Sequence, residues 1–228
     1  MPIPLYLAMT AAEFCHCDPL PEKIAWMACH FSPYGTGITN VPRHLPPGSI
    51  LILNDRTPVC GHDPLRVAGE MAEPAARLKC RGILLDLQHP DLTETAAIVK
   101  AVCAAAPCPV AVSESYCNEA DCAVFLTPPM HIPPAEFLAA WQGREIWLEA
   151  AVESADYLLT EQGCHIRQPG IEPRDLPHQD TVSFCRYRIA PEAKAVRFSL
   201  RRSKAELDAM IAGTEGVSCF VGLYQQLK

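Results

Sequence analysis

Polar residues suited to acid–base chemistry stand where apolar stretches of this sequence end. The run Gly82–Leu87, GILLDL, carries Asp86, and Gln88 follows two residues later. Glu114 comes directly after PVAVS, and Glu149 lies late in EIWLEA. Two carboxyl groups facing one substrate can act as a general acid and as a base or nucleophile. Glu114 and Glu149 are therefore candidate catalytic residues, and the alternative is a solvated loop residue and an ion-paired one.

Eight short apolar or β-branched runs, bounded by Pro, Gly or Asp, predict strands. They are Leu5–Met9, Ile24–His30, Ile50–Leu53, Gly82–Leu87, Pro109–Ser113, Ala123–Thr127, Glu145–Ala150 and Val217–Leu223. Most of them are apolar on both faces, which is typical of parallel strands covered by helices.

Helical patterns separate some of these strands. The predicted helices are Asp63–Lys79, Leu92–Ala106, Pro134–Trp141 and Ser203–Ala212. Pro74 predicts a kink or a break near the end of the first helix. Ser203 and Glu206 have the spacing of a capping box, which favours a helix start there. The alternation of strands and helices predicts an α/β fold, a (βα)8 TIM-type barrel with some short or missing helices.

One segment departs from the alternation. Between the seventh and eighth predicted strands, residues 153–201 contain a hairpin around TEQG and a second strand pair around APEAK. We interpret this segment as an antiparallel β-rich insertion within a single barrel domain that covers residues 1–228. A separate domain would need its own core, and the segment is short for that.

In a (βα)8 barrel the functional groups lie at the carboxyl ends of the strands. That rule selects the following candidate ligand-binding residues: Asp86, Gln88, His30, Asn54, Asp55, Tyr116, Tyr224 and Gln225. Side chains alternate along a strand, so Asp86 and Gln88 share a face, which we expect to point inward or towards the barrel mouth.

The segment RGILLDLQHP resembles the signature of family 18 glycoside hydrolases, D-G-x-D-x-D-x-E followed by Y-P, which ends the fourth strand of a (βα)8 barrel. Gly82, Asp86 and Pro90 match that signature. Leu84 stands in place of its second Asp, and Gln88 in place of its Glu. The tail GVSCFVGLYQ is similar to the family's eighth strand.

The resemblance implies a chitinase-like barrel with a degenerate catalytic motif. In the family, the Glu is the general acid that protonates the glycosidic oxygen, and Gln88 has no proton to give. Its amide can still donate and accept hydrogen bonds, so a sugar could be held. Another group of barrel glycosidases uses a glutamate on the seventh strand as nucleophile, a role that Glu149 could fill with Glu114 as partner.

Charge and hydropathy exclude several classes of partner. The net charge of −7 argues against unaided binding to nucleic acid or to an anionic membrane. No apolar run approaches the ~20 residues that span a bilayer. The first residues resemble a strand and lack the basic region of a signal peptide. We therefore expect a cytoplasmic protein with no nucleic acid and no membrane as partner.

Neither a cofactor nor a metal ion is predicted. Asp55, Asp86 and Glu114 end three successive strands and could hold Mg²⁺, but turn capping and strand support are the preferred roles. The 12 cysteines include one tight cluster, Cys15-His16-Cys17, which lacks a partner pair for zinc. We expect most of them to be reduced structural thiols.

Three functional hypotheses follow. The leading one is a family-18-like barrel without the ancestral hydrolytic activity that binds a saccharide or small polar ligand at its mouth. The second is an active glycoside hydrolase using Glu114 and Glu149. The third is a protein-interaction scaffold that acts through its insertion. The oligomeric state is left open.

Overall fold

The computed structural model describes residues 3–34, 37–55, 61–87, 93–129, 132–151, 154–160, 163–169, 186–190 and 195–227. The chain divides into two compact units. The first contains Met1–Thr127, Trp141–Glu149 and Gly216–Tyr224, and the second contains Pro128–Ala140, Ala150–Glu215 and Gln225–Lys228.

The described strands are β1 Leu5–Met9, β2 Ile24–Phe31, β3 Ile38–Thr39, β4 Ile50–Asn54, β5 Gly82–Asp86, β6 Val110–Ser113, β7 Ala123–Leu126, β8 Ile146–Ala150, β9 Ser154–Thr160, β10 Gly163–Pro169, β11 Arg186–Ala190, β12 Ala195–Arg201 and β13 Cys219–Leu223. The described helices are α1 Ala11–His16, α2 Pro64–Arg77, α3 Thr93–Ala105, α4 Pro134–Ala139, α5 Lys204–Gly213 and α6 Tyr224–Leu227. None of them combines the length and the apolar character that crossing a lipid bilayer requires.

Eight strands close into a parallel barrel in the first unit. They pair in the ring order β1, β2, β4, β5, β6, β7, β8 and β13, and β13 pairs with β1 again. This closed ring confirms the predicted (βα)8-type barrel, and each predicted strand lies within two residues of an observed one. The short strand β3, which the sequence patterns did not indicate, pairs antiparallel with β2 outside the ring.

Two apolar layers stabilise the barrel. The inner layer fills the barrel interior and includes Tyr6, Ile52, Leu84, Phe125 and Trp147. The outer layer lies between the strands and the covering helices: the outward residues of β4, β5 and β6 pack with apolar side chains of α2 and α3. A strand flanked by both layers must be apolar on both faces, which is why these strands are continuous apolar runs.

Trp147 of β8 sits in the interior directly against Gly82 at the start of β5. Its side chain is 1% exposed. A Cβ at position 82 would lie 2.4 Å from Trp147 Cη2 and 3.0 Å from the Pro109 carbonyl oxygen. Glycine is therefore required at position 82 by contact with the Trp147 ring.

Helix α2 begins where the sequence predicts, and the predicted break at Pro74 is not found. Asp63 caps it by accepting a hydrogen bond from the backbone N–H of Leu65, and Pro64 occupies the first turn. Pro74 neither breaks nor ends the helix, which continues to Arg77. Pro74 is buried within the helix.

The second unit contains an antiparallel sheet in the chain segment between β8 and β13, as the sequence indicates. Its strand order is β10, β9, β12, β11. The hairpin around TEQG is β9–β10, and the pair around APEAK is β11–β12. Helix α5 begins with the predicted capping box, in which Ser203 and Glu206 each bond the other's backbone N–H. The single-domain interpretation stays a prediction.

The Trp147 contact generates a stability prediction. Gly82→Ala should destabilise the protein by about 1–3 kcal/mol, the usual cost of overpacking a filled core. Urea unfolding followed by circular dichroism measures this change. Gly69→Ala is the matched control because Gly69 lies within α2 with nothing near its missing Cβ. The unfolding free energy of Gly69→Ala should rise by about 0.5–1 kcal/mol. An unchanged unfolding midpoint for Gly82→Ala would show that Trp147 moves aside.

Candidate functional site

A cavity of about 460 Å³ lies in the first unit, at the carboxyl ends of the barrel strands. Among the described residues, four polar side chains line it: Asn54, Asp55, Asp86 and Glu149. The rest of its lining is apolar and includes Ile52, Leu84 and Phe125 of the inner layer. An apolar concavity with a few convergent polar groups is the usual form of a small-molecule site.

Strand register places these polar groups together. In the β4–β5 ladder, Ile52 pairs with Leu84, and Asn54 pairs with Asp86. Because side chains alternate along a strand, Asn54 and Asp86 point to the same inward side as the apolar pair two residues earlier. Two residues of strand span about 6.6 Å, so the polar pair lies above the apolar pair towards the mouth. The cavity thus has an apolar floor and a polar upper wall.

The side-chain amide of Asn54 has a structural role in addition to lining the cavity. Its side-chain nitrogen donates to the carbonyl oxygens of Met27 at 3.1 Å and Cys29 at 3.0 Å. Pairing between β2 and β4 is irregular between Trp26 and Cys29, so these backbone oxygens need other donors. The amide nitrogen of Asn54 therefore holds β2 in place, and the ligand-binding role of this residue stays a prediction.

Ser113 fixes the end of β5 and is a residue that our sequence reasoning did not select. Its hydroxyl accepts a hydrogen bond from the backbone N–H of Leu87 at 2.9 Å and donates to the carbonyl oxygen of Leu85 at 3.2 Å. These two bonds flank Asp86 on both sides. Ser113 is thus a positioning residue for the Asp86 carboxylate. Its place at the end of β6, the strand next to β5, is the sequence signal that could have identified it.

Glu149 is oriented by the neighbouring strand. The hydroxyl of Thr127, directly after β7, donates to its Oε2 at 2.6 Å. Asp55, the residue after β4, is 7% exposed although it lines the cavity. Asp55, Asp86 and Glu149 give the cavity three carboxylates, and its described lining includes no Lys, Arg or His.

The other predicted catalytic residue, Glu114, is not part of this lining. It opens a single turn of 3₁₀ helix, Glu114–Tyr116, and is exposed. Tyr116 of the same turn is buried in the outer apolar layer, where it packs beneath the helices and not in the mouth. The turn begins as soon as β6 ends, so it redirects both side chains away from the cavity that Glu149 lines.

Two more predicted residues make other contacts, one is exposed, and one lies outside the described residues. His30, half-buried, has its Nδ1 3.0 Å from the Ala28 carbonyl oxygen. The Tyr224 hydroxyl lies 3.2 Å from Cys17 Sγ. Gln225 is exposed in α6. Gln88 falls in the segment 88–92, which the structure does not describe.

The geometry for a metal site is not found in the described part of the chain. No group of three His, Cys, Asp or Glu residues there is placed to hold an ion, so Asp55, Asp86 and Glu114 do not form the magnesium arrangement considered above. His16 of the Cys15-His16-Cys17 cluster has its Nδ1 2.7 Å from the Ala12 carbonyl oxygen, within α1.

Comparison with known proteins gives one fold-level finding. The sequence matches no model of a known protein family and no curated protein. Among solved structures, the spore cortex-lytic enzyme SleL of Bacillus cereus is similar at a TM-score of 0.53 and 9% sequence identity. The match covers 99% of this chain and 71% of the SleL chain. At this identity the similarity shows a shared barrel fold.

The role of Ser113 is testable. Ser113→Ala removes the acceptor of the buried Leu87 N–H, which should cost about 1–3 kcal/mol of unfolding free energy. Ser115→Ala, on the exposed side of the 3₁₀ turn, is the matched control and should stay within about 0.5 kcal/mol of wild type. Chemical denaturation of both variants checks this. Equal stability of the two variants would contradict the role of Ser113 in fixing the end of β5.

Proposed function

We propose that this protein is a family-18-glycosidase-like barrel protein that binds an uncharged saccharide, or a small polar ligand of similar character, in its mouth cavity and does not hydrolyse it. The observation that carries the proposal is the cavity itself: an apolar floor beneath Asp86, Asp55 and Glu149. Sugar rings have apolar faces and hydroxyl edges, so such a lining suits them on both counts.

The polar wall favours neutral ligands. Carboxylate oxygens accept hydrogen bonds from sugar hydroxyls. Three carboxylates near one cavity also disfavour a ligand with a carboxylate or phosphate group, because like charges repel strongly where water is partly excluded. Uncharged saccharides therefore fit better than acidic ones.

Two substitutions argue against the ancestral reaction. Gln88 stands where the resemblance places the proton-donating Glu. Leu84, which replaces a supporting Asp of the motif, is 1% exposed and belongs to the inner apolar layer. Loss of a general acid alone removes about 10²–10⁴-fold of rate.

The fold comparison is consistent with this proposal. SleL is a spore cortex-lytic enzyme, and its barrel spans nearly all of this chain. Shared fold alone does not transfer activity. The shared barrel fold is compatible with the proposed glycosidase-like origin of this chain, with the chemistry altered at positions 84 and 88.

The two other hypotheses lack a supporting observation. A hydrolase using Glu114 and Glu149 needs both carboxyl groups on one substrate, but only Glu149 lines the cavity. The scaffold hypothesis requires an exposed apolar patch on residues 153–201, whose side chains lie almost entirely outside the described part of the molecule.

Ligand binding is tested on a glycan array that carries neutral oligosaccharides and matched ones with uronic or sialic acids. Wild-type protein should retain neutral glycans preferentially. Titration calorimetry with the retained oligosaccharide should then show at least about tenfold weaker binding for Asp86→Ala, a loss of about 1.4 kcal/mol. Glu114→Ala is the matched control, since it removes an exposed carboxylate outside the cavity. The absence of any retained glycan, or an equal loss for Glu114→Ala, would contradict the proposal.

The missing reaction has its own test. Wild-type protein should give no turnover of unactivated oligosaccharides, whose leaving group needs a general acid. Nitrophenyl glycosides, whose leaving group needs little protonation, detect any catalysis that does not depend on a general acid. Product release is followed by absorbance and by mass spectrometry. Turnover that disappears in Glu149→Gln would support the active-hydrolase hypothesis instead.

A further inference from the structure

His30 lies near the end of β2, beside the mouth cavity. The cavity lining reaches this strand at Met27. The two chain neighbours of His30, Cys29 and Phe31, both belong to the outer apolar layer. Because side chains alternate along a strand, His30 lies on the inward side of β2. It is the next inward residue after Met27 in the direction of the mouth.

An irregularity in β2 brings His30 level with the polar wall of the cavity. The pairing of β2 with β4 shifts in register between Trp26 and Cys29, and after the shift His30 pairs with Asn54. Asn54 in turn pairs with Asp86 of β5. His30, Asn54 and Asp86 therefore form one row across three strands. Irregularities of this kind, of which the β-bulge is the common form, re-aim the side chains that follow them.

The backbone of the irregular segment fixes the tautomer of His30. The Nδ1 atom of the ring lies 3.0 Å from the carbonyl oxygen of Ala28. A carbonyl oxygen can only accept a hydrogen bond, so Nδ1 carries the proton in this contact. In the neutral ring the other nitrogen, Nε2, is then unprotonated and holds a lone pair. His30 is half-buried, which leaves part of its ring accessible at this level of the mouth.

We propose that His30 Nε2 is a hydrogen-bond acceptor of the mouth site and selects saccharides that present a free hydroxyl group at the level of Asn54 and Asp86. This inference rests on the proposed function, because it specifies one contact of the same saccharide site. A free hydroxyl donates to Nε2. An ether or ester oxygen at the same place has no proton to donate, and its lone pairs repel that of the ring.

His30 is therefore a specificity-determining residue. A site that is built to bond a hydroxyl group rejects the analogue that lacks it, because a polar group of the site is left without its partner. The sugar unit that is bound at this level should carry no substituent on the hydroxyl that faces His30.

Two substitutions separate the acceptor from the tautomer contact. Asparagine at position 30 keeps an N–H close to the place of Nδ1 but has no acceptor at the place of Nε2. Glutamine is longer, so its amide oxygen can take the place of Nε2 while the donor to Ala28 is lost. His30→Asn should therefore keep the urea unfolding midpoint of wild type and bind saccharide about tenfold more weakly. His30→Gln should bind more tightly than His30→Asn.

His16 provides the matched control. Its Nδ1 lies 2.7 Å from the Ala12 carbonyl oxygen, so the same reasoning gives its ring the same tautomer. His16 is exposed in α1, and the described lining of the cavity does not include it. His16→Asn removes an equivalent Nε2 acceptor away from the cavity and should leave saccharide binding unchanged.

The probe is the neutral oligosaccharide that wild-type protein retains most strongly on the glycan array, together with its singly O-methylated derivatives. In titration calorimetry, one derivative should bind wild type about tenfold more weakly than the parent does. His30→Asn should not distinguish that derivative from the parent. In ¹⁵N NMR of histidine-labelled wild type, His30 should carry its proton on Nδ1. The parent oligosaccharide should shift the Nε2 resonance of His30 upfield and leave that of His16 in place.

The outcomes separate this inference from the proposed function. Binding that is weakened in Asp86→Ala but unchanged in His30→Asn would overturn the role of His30 and leave the proposed function standing. A proton on Nε2 of His30, or an Nε2 resonance that the oligosaccharide does not shift, would also overturn the role of His30. Both NMR results come from wild-type protein, so they decide the question where a variant does not fold. Retention of no glycan at all would overturn both.

Discussion

The packing of the Trp147 ring onto Gly82 sets the interior of this barrel. A closed eight-stranded barrel must fill its centre with side chains, and here the Trp147 indole extends over the place that a side chain at position 82 would take. The β5 strand approaches β8 across the interior only because position 82 has no side chain. Trp147 fills the barrel interior at the level of Gly82. The next inward residues of β4, β5 and β7, towards the carboxyl ends of the strands, form the apolar floor of the cavity. The polar groups of the cavity lie one level closer to the mouth.

The fold was readable from the sequence because buried parallel strands are apolar on both faces. Runs such as ILIL and GILLD stand out against Pro- and Gly-rich connections, and the Ser203–Glu206 capping box marked a helix start. Helix α1 was missed although Thr10 and Glu13 form the same kind of capping box. The strand β3 has only two residues, and its pairing depends on where β2 ends, so no local pattern announces it.

The candidate site was only partly readable. Alternation along β5 identifies Asp86 as inward, and the late position of Glu149 on β8 places it at the mouth. From the sequence, Glu114 looked equivalent to Glu149 because it also follows a strand. A 3₁₀ turn places Glu114 outside the cavity lining, and the direction of such a turn depends on tertiary packing. Gly82 was taken as a match to the family motif. Its contact with Trp147 gives an independent reason for that glycine, so the motif carries less weight as evidence of ancestry.

Leu84, which stands where the family 18 motif has an Asp, also affects the heat-capacity change expected when a ligand binds. Leu84, Ile52 and Phe125 form an apolar surface at the bottom of the cavity. A sugar ring laid on this surface would remove apolar area from water, so association would carry a negative change in heat capacity. An acidic floor would instead have demanded desolvation of charge. Under the proposed family-18-like origin, leucine in place of a motif carboxylate would make apolar contact beneath a charged rim the source of affinity for a sugar.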